Sequence, residues 1–127
     1  MLDFCGMSFL LTEDNALSAE IMTELLTLWH AKVKCVHSGE EAIRRISEDG
    51  DVYDAVLMDV QMPGMNGYEA TKAIRALGLG IGIPVFALTA SSQEADKGLA
   101  LQAGMNAFLP KPLEPALLGR ALAMGYQ

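Results

Sequence analysis

The chain has 127 residues, 51% of them hydrophobic, and a formal net charge of −7. That length fits one domain with a buried core and leaves little room for a second. The acidic balance speaks against a nucleic-acid binder, which needs a basic face, and against an anionic membrane surface.

The N-terminus has no basic region and no small-residue cleavage site, so it does not read as a signal peptide. No apolar run approaches the roughly 20 residues that span a bilayer. Residues 1–7 read as an N-terminal extension or cloning remnant, and 8–127 as the domain. The two cysteines, Cys5 and Cys35, form no CxxC motif, which excludes a zinc site or disulfide framework and suits a reducing cytoplasm.

Short apolar runs alternate with helical periodicity five times. Ser8 to Thr12 reads as a first buried strand. Ala16 to Trp29 reads as a helix whose inward face carries Leu17, Ile21, Leu25 and Leu28. A second row, Ala19, Met22 and Leu26, is read either as a docking face for a partner helix or as further core contact. Lys32 to Val36 is a more polar strand suited to a sheet edge. Ser38 and Glu41 predict a capping box for a helix to about Glu48.

Ala55 to Met58 is a continuously apolar strand of the kind covered on both faces, and it ends at Asp59. A loop with Pro63, Gly64 and Gly67 leads into a helix from about Tyr68 to Leu77. The glycines of Gly78 to Gly82 precede a strand, so they read as a connector and not as a phosphate-binding turn. Pro84 to Leu88 is a fourth strand, ending at Thr89. A helix from about Gln93 to Ala103 stops at Gly104 and carries a helix-weakening Gly98. Ala107 to Leu109 and a helix from about Glu114 to Ala123 complete the series. Strand then helix, five times, predicts an α/β fold: a doubly wound, parallel five-stranded sheet of order 2-1-3-4-5, flavodoxin-like in its winding.

Ligands of such sheets bind at the C-terminal strand ends. Here those ends carry Glu13-Asp14-Asn15, Asp59, Thr89 and Lys111: three carboxylates, a hydroxyl and an ammonium. Crowded carboxylates repel unless a cation intervenes, and magnesium prefers such oxygen donors together with phosphate oxygens. A carboxylate nucleophile, a lysine and a metal are the parts needed to accept and hold a phosphoryl group.

The stretches LLTEDN (Leu10 to Asn15), VLMDVQMPGMNG (Val56 to Gly67), FALTA (Phe86 to Ala90) and AGMNAFLPKP (Ala103 to Pro112) resemble the receiver domain of two-component response regulators. Asp59 to Arg75 is most similar to receivers attached to hybrid histidine kinases. The resemblance implies a phosphorelay domain with Asp59 as phosphoacceptor. Glu13, Asp14, Asp59 and the backbone carbonyl of Gln61 then hold magnesium or manganese. Lys111 pairs with the phosphoryl group, Thr89 and Phe108 form the switch, and a cis Lys111-Pro112 bond aims the lysine. Gln61 and Ser91 stand where the family tunes phosphoryl lifetime. Glu13 replaces the more frequent aspartate, and His30 replaces a frequent helix-ending glycine.

On this reading the chain is a signalling domain and not an enzyme, although a full-length hybrid protein would be a histidine kinase. The implied donor is a sensor histidine kinase or a histidine phosphotransfer domain; His30 and His37 have no metal-ligand partner at useful spacing and read as surface or loop residues. A homodimer through the fourth helix, last strand and last helix is a family option. Other readings fit less well. An aspartyl phosphatase resembles D-x-D, but Gln61 stands two residues after Asp59. A flavodoxin would cradle phosphate in a Ser/Thr/Gly loop where Glu13-Asp14-Asn15 lies. The remaining alternative is a pseudo-receiver that binds partners without phosphorylation.

Overall fold

A computed structural model describes residues 4–49, 52–78, 82–89, 94–111 and 113–125. The elements in chain order are β1 (Ser8–Thr12), α1 (Ala16–Leu28), β2 (Lys32–Val36), α2 (Gly39–Asp49), β3 (Ala55–Asp59), α3 (Gly67–Ala76), β4 (Val85–Thr89), α4 (Glu94–Ala103), β5 (Ala107–Pro110) and α5 (Pro115–Gly125). All strand pairs are parallel, in the order β2-β1-β3-β4-β5. The predicted architecture is the observed one. The central strands β3 and β4 are buried at every residue, as their unbroken apolar runs require, while β2 alternates with Lys32 and Lys34 exposed at the edge.

The sheet separates two apolar layers. Leu10, Val56, Met58, Val85 and Ala87 face Ala42 and Ile46 of α2, Ala70 and Ile74 of α3, and Ala100 of α4. Phe9, Leu11, Leu57, Phe86 and Leu88 face Met22 and Leu26 of α1 and Leu118 and Leu122 of α5. Phe4, within the stretch set apart as an extension, packs into this second layer, edge-on to Phe9, with its N–H donating to the Trp29 carbonyl at 2.8 Å.

The predicted face of α1 is corrected. Its buried residues are Ala19, Met22 and Leu26, whereas Leu17 is 67% exposed, Ile21 49% and Leu28 71%. Both rows are apolar, so periodicity establishes the helix without establishing its phase. Asn15 accepts from the Ser18 N–H at 2.9 Å and starts the helix directly after Glu13-Asp14. Small Ala19 then lies against the sheet. Of the two readings of the Ala19, Met22 and Leu26 row, core contact is the one observed, and the outer row is Leu17, Ile21 and Leu28.

The cap of α2 also differs. Ser38 Oγ accepts from the Glu41 N–H at 3.1 Å as expected, but the Glu41 carboxylate accepts from His37 N–H at 2.9 Å, one residue before the predicted closure. Helix α1 ends in a Schellman turn with His30 at φ 72°, where the Ala31 N–H donates to the Leu26 carbonyl at 3.0 Å. Gly104 ends α4 in the same way at φ 97°. Ser91, Pro112 and most of the glycine connector lie outside the described residues.

Candidate functional site

The site is built at the C-terminal edge of β1, β3, β4 and β5. Parallel register pairs Thr12 with Met58, Asp59 with Leu88 and Thr89 with Pro110, so the residues that end or follow these strands meet at one edge. The Lys111 N–H extends the β4–β5 ladder by donating to the Thr89 carbonyl at 2.8 Å, which anchors the backbone of the lysine. Glu13 is held in the same manner, its N–H donating to Val36 at 3.0 Å.

These residues line one cavity of about 270 Å³, together with Asp14, Asn15, Ser18 and Gln61. Glu13 is 1% exposed and Asp59 3%. Asp14 and Gln61 lie on the open side. Carboxylate oxygens of Glu13, Asp14 and Asp59 lie within 4.8 Å of one another, a donor set suited to a hard divalent cation. Asp59 Oδ1 accepts from the Gln61 N–H at 3.0 Å, and Asp59 Oδ2 accepts from Lys111 Nζ at 3.1 Å. The ammonium also reaches Glu13 Oε1 at 2.8 Å.

The electrostatics follow from burial and crowding. Burial, with help from the neighbouring Asp59 carboxyl, pushes Glu13 up to about 7, while Lys111 and the Asn15 N–H pull the other way. Burial opposes the Lys111 ammonium, but the Glu13 and Asp59 carboxylates outweigh it and its pKa is raised. The lysine therefore stays charged at the carboxylates it bridges.

Thr89 is 2% exposed and lines the cavity. Phe108 does not line it. Phe108 is half-buried against the layer of α2, α3 and α4, opposite Ala87 and one step diagonally from Thr89 on the same face of the sheet.

Two supporting residues have roles that the sequence did not indicate, and Gly67, read there as loop, is the first residue of α3. Gly67 begins α3 directly behind the acceptor loop, where an added Cβ would lie 2.4 Å from the Asp59 carbonyl oxygen. Its helix is capped by Asn66 and Glu69, a reciprocal N-x-x-E pair that is legible in the sequence. Arg75, half-buried, ties the end of α3 to the Ile83 carbonyl at 2.9 Å, the Gly104 carbonyl at 3.1 Å and Asn106 Oδ1 at 3.0 Å. A lone arginine on a helix gives no signal of such a role.

The fold and this acidic edge define the class. Residues 9–123 match the response regulator receiver domain family, and the chain belongs to it. It is 38% identical over 112 residues to hybrid signal transduction histidine kinase M of Dictyostelium discoideum, covering 86% of this chain and 5% of that one. It is likewise 38% identical over 109 residues to the autoinducer 2 sensor kinase/phosphatase LuxQ of Vibrio vulnificus, covering 86% of this chain and 12% of that one. The chain thus spans a small part of these relatives. Among solved structures, the receiver domain of sensor histidine kinase PA1611 from Pseudomonas aeruginosa superposes with a TM-score of 0.84 at 37% identity, covering 97% of this chain and 100% of that one. That structure holds a magnesium ion in its active site cleft. No described helix of the present chain is long and apolar enough to cross a membrane.

Proposed function

We propose that this receiver domain accepts a phosphoryl group from a phosphohistidine onto Asp59 and answers by changing conformation. The observation that carries the reading is the treatment of one buried carboxylate: a backbone N–H on Asp59 Oδ1, the Lys111 ammonium on Oδ2, and two further carboxylates beside it. A structural aspartate needs no such company.

In the transfer, an Asp59 carboxylate oxygen attacks the phosphorus. The P–N bond to the donor imidazole breaks, and the ring departs with the bonding pair, neutral where its other nitrogen carries a proton. An acyl phosphate results. Lys111 follows the charge onto the phosphoryl oxygens. The Asp14 and Asp59 carboxylates and the Gln61 carbonyl would hold magnesium or manganese, with Glu13 as the second acid of the set. When bound, the ion supplies neutralisation of charge on the transferring group. Thr89 and Phe108 serve as the switch: the hydroxyl turns to the phosphoryl group and the ring follows inward on the same sheet face.

The donor is a histidine kinase or histidine phosphotransfer domain in the cytoplasm. Its docking surface is the exposed row of α1, Leu17, Ile21 and Leu28. That row leads to an apolar groove of about 340 Å³ formed with Leu25 and Leu113, and Ser18 and Lys111 line both this groove and the acceptor cavity. Leu99 and Leu101 of α4, 46% and 71% exposed, offer a contact for a homodimer through α4, β5 and α5. Incubation with magnesium and acetyl phosphate tests the reading by intact mass. One phosphoryl group is expected, absent with chelator and absent in Asp59→Asn. No added mass at the shortest times would favour a partner-binding pseudo-receiver.

A further inference from the structure

Strand β2 closes one side of the sheet and pairs only with β1. The parallel register turns the backbone of Lys32, Lys34 and Val36 toward β1: the Lys32 N–H donates to the Met7 carbonyl at 2.9 Å, and the Val36 carbonyl accepts from the Glu13 N–H at 3.0 Å. The backbone groups of Val33 and Cys35 therefore point outward, where a further strand would meet them. This stretch ends at His37, whose N–H donates to the Glu41 carboxylate at 2.9 Å.

The two faces beside this edge carry opposite charge. On the α1 side lies a groove of about 310 Å³, its apolar part formed by Ala16, Ala19, Thr23 and Cys35. Glu20 and Glu24, exposed and about one turn apart on α1, border it. Val33 and Cys35 pack toward α1, so strand alternation places Lys32 and Lys34, both exposed, on the α2 side. Among the described residues, none of these four charged side chains makes an ion pair. A second copy that continued the sheet in antiparallel fashion would set lysine beside lysine and is disfavoured. A strand of opposing charge is favoured on both faces at once.

We propose that the outer edge of β2 binds an extended segment of a partner protein as a sixth strand. The side chains of that segment alternate. Acidic residues face Lys32 and Lys34, and a small aliphatic residue flanked by lysine or arginine faces the groove, Glu20 and Glu24. Main-chain hydrogen bonds to Val33 and Cys35 supply affinity, while the groove and the two charged rows fix the register. The surface is separate from the acceptor cavity and needs no phosphoryl group.

The test titrates the whole chain with a short blocked peptide in which glutamates alternate with lysine, valine and lysine. A second peptide has the same composition, shuffled so that each face carries both signs. Proton–nitrogen spectra and amide exchange are read for the wild type, for Glu20→Lys with Glu24→Lys, and for Lys32→Glu with Lys34→Glu, each checked for folding by its thermal transition. The patterned peptide is expected to shift the amides from Val33 to His37 and from Glu20 to Glu24 with a dissociation constant of about 1 mM or tighter. It should also slow exchange at Val33 and Cys35. The shuffled peptide, and the patterned peptide on either charge-reversed variant, should bind about tenfold more weakly. The inference is overturned if the shuffled peptide binds the wild type equally well, or if the shifts map to another surface. It is equally overturned if no shifts appear up to about 2 mM peptide, or if the chain alone dimerises through this edge.

Discussion

Gly67 lies against the backbone of Asp59 so closely that a β-carbon on it would come 2.4 Å from the Asp59 carbonyl oxygen and 2.9 Å from the Val60 Cα. Backbone on both sides leaves nothing flexible to yield. Gly67→Ala is therefore expected to lose about 1–3 kcal/mol despite alanine's better helix propensity. It should also slow phosphorylation, because the Gln61 N–H that holds Asp59 Oδ1 belongs to the displaced loop. Urea titration and the acetyl phosphate rate check both effects, and an unchanged urea midpoint would contradict the close approach.

Two backbone substitutions are expected to act in the opposite direction. His30 holds φ 72° at the end of α1, a conformation that costs a residue with a β-carbon about 1 kcal/mol and glycine almost nothing. Gly98 lies within α4, where an added β-carbon would meet nothing within 4 Å. His30→Gly and Gly98→Ala should each raise stability by about 0.5–1 kcal/mol. Their sites do not touch the acceptor cavity, so phosphorylation should be unchanged. A loss of stability in either variant would contradict the backbone assignment at that position.

Magnesium should stabilise the protein more as pH rises. Glu13 is raised from 4.5 to about 7 in the folded protein, so the folded state holds this proton more tightly than the unfolded chain does. Its stabilising contribution is full below the unfolded value and is lost as pH rises through the folded one. A divalent ion competes with that proton for the acidic cluster. The rise in melting temperature on adding magnesium is therefore expected to be larger near about pH 8 than near about pH 5.5. An equal rise at both would remove Glu13 from the linkage.

The two apolar rows of α1 should separate by experiment. Met22 is 5% exposed and Leu26 fully buried, so Met22→Ala should cost about 2–5 kcal/mol in stability. Ile21→Glu and Leu17→Glu lie on the surface and should leave the melting temperature within a few degrees while lowering the rate of transfer from a phosphohistidine donor. Acetyl phosphate, which needs no docking, should phosphorylate them as before. Unimpaired transfer from the protein donor would rule out this row as the docking surface.

Much of this was legible in the sequence because the signals are local. Each of Asp59, Thr89 and Lys111 is a polar residue at the end of an apolar run, and parallel winding brings such ends together. Lys32 and Lys34 mark β2 as the edge for the same reason. What escaped depends on relations between elements. The phase of α1 was ambiguous because Ala19-Met22-Leu26 and Leu17-Ile21-Leu28 are both apolar, and the buried row is settled only when the helix packs on the sheet. The contacts of Gly67 with Asp59 and of Arg75 with Gly104 exist only once α3 is packed on the sheet. The Glu13–Lys111 pair joins the two ends of the chain, and no spacing rule reaches across it.

The proposed chemistry turns on Asp59 itself carrying the phosphoryl group. Borohydride reduces an acyl phosphate to the alcohol, so reduction after phosphorylation followed by peptide sequencing reads the site directly. Homoserine is expected at position 59 and nowhere else. A reduced residue at position 13 or 14, with position 59 intact, would contradict it.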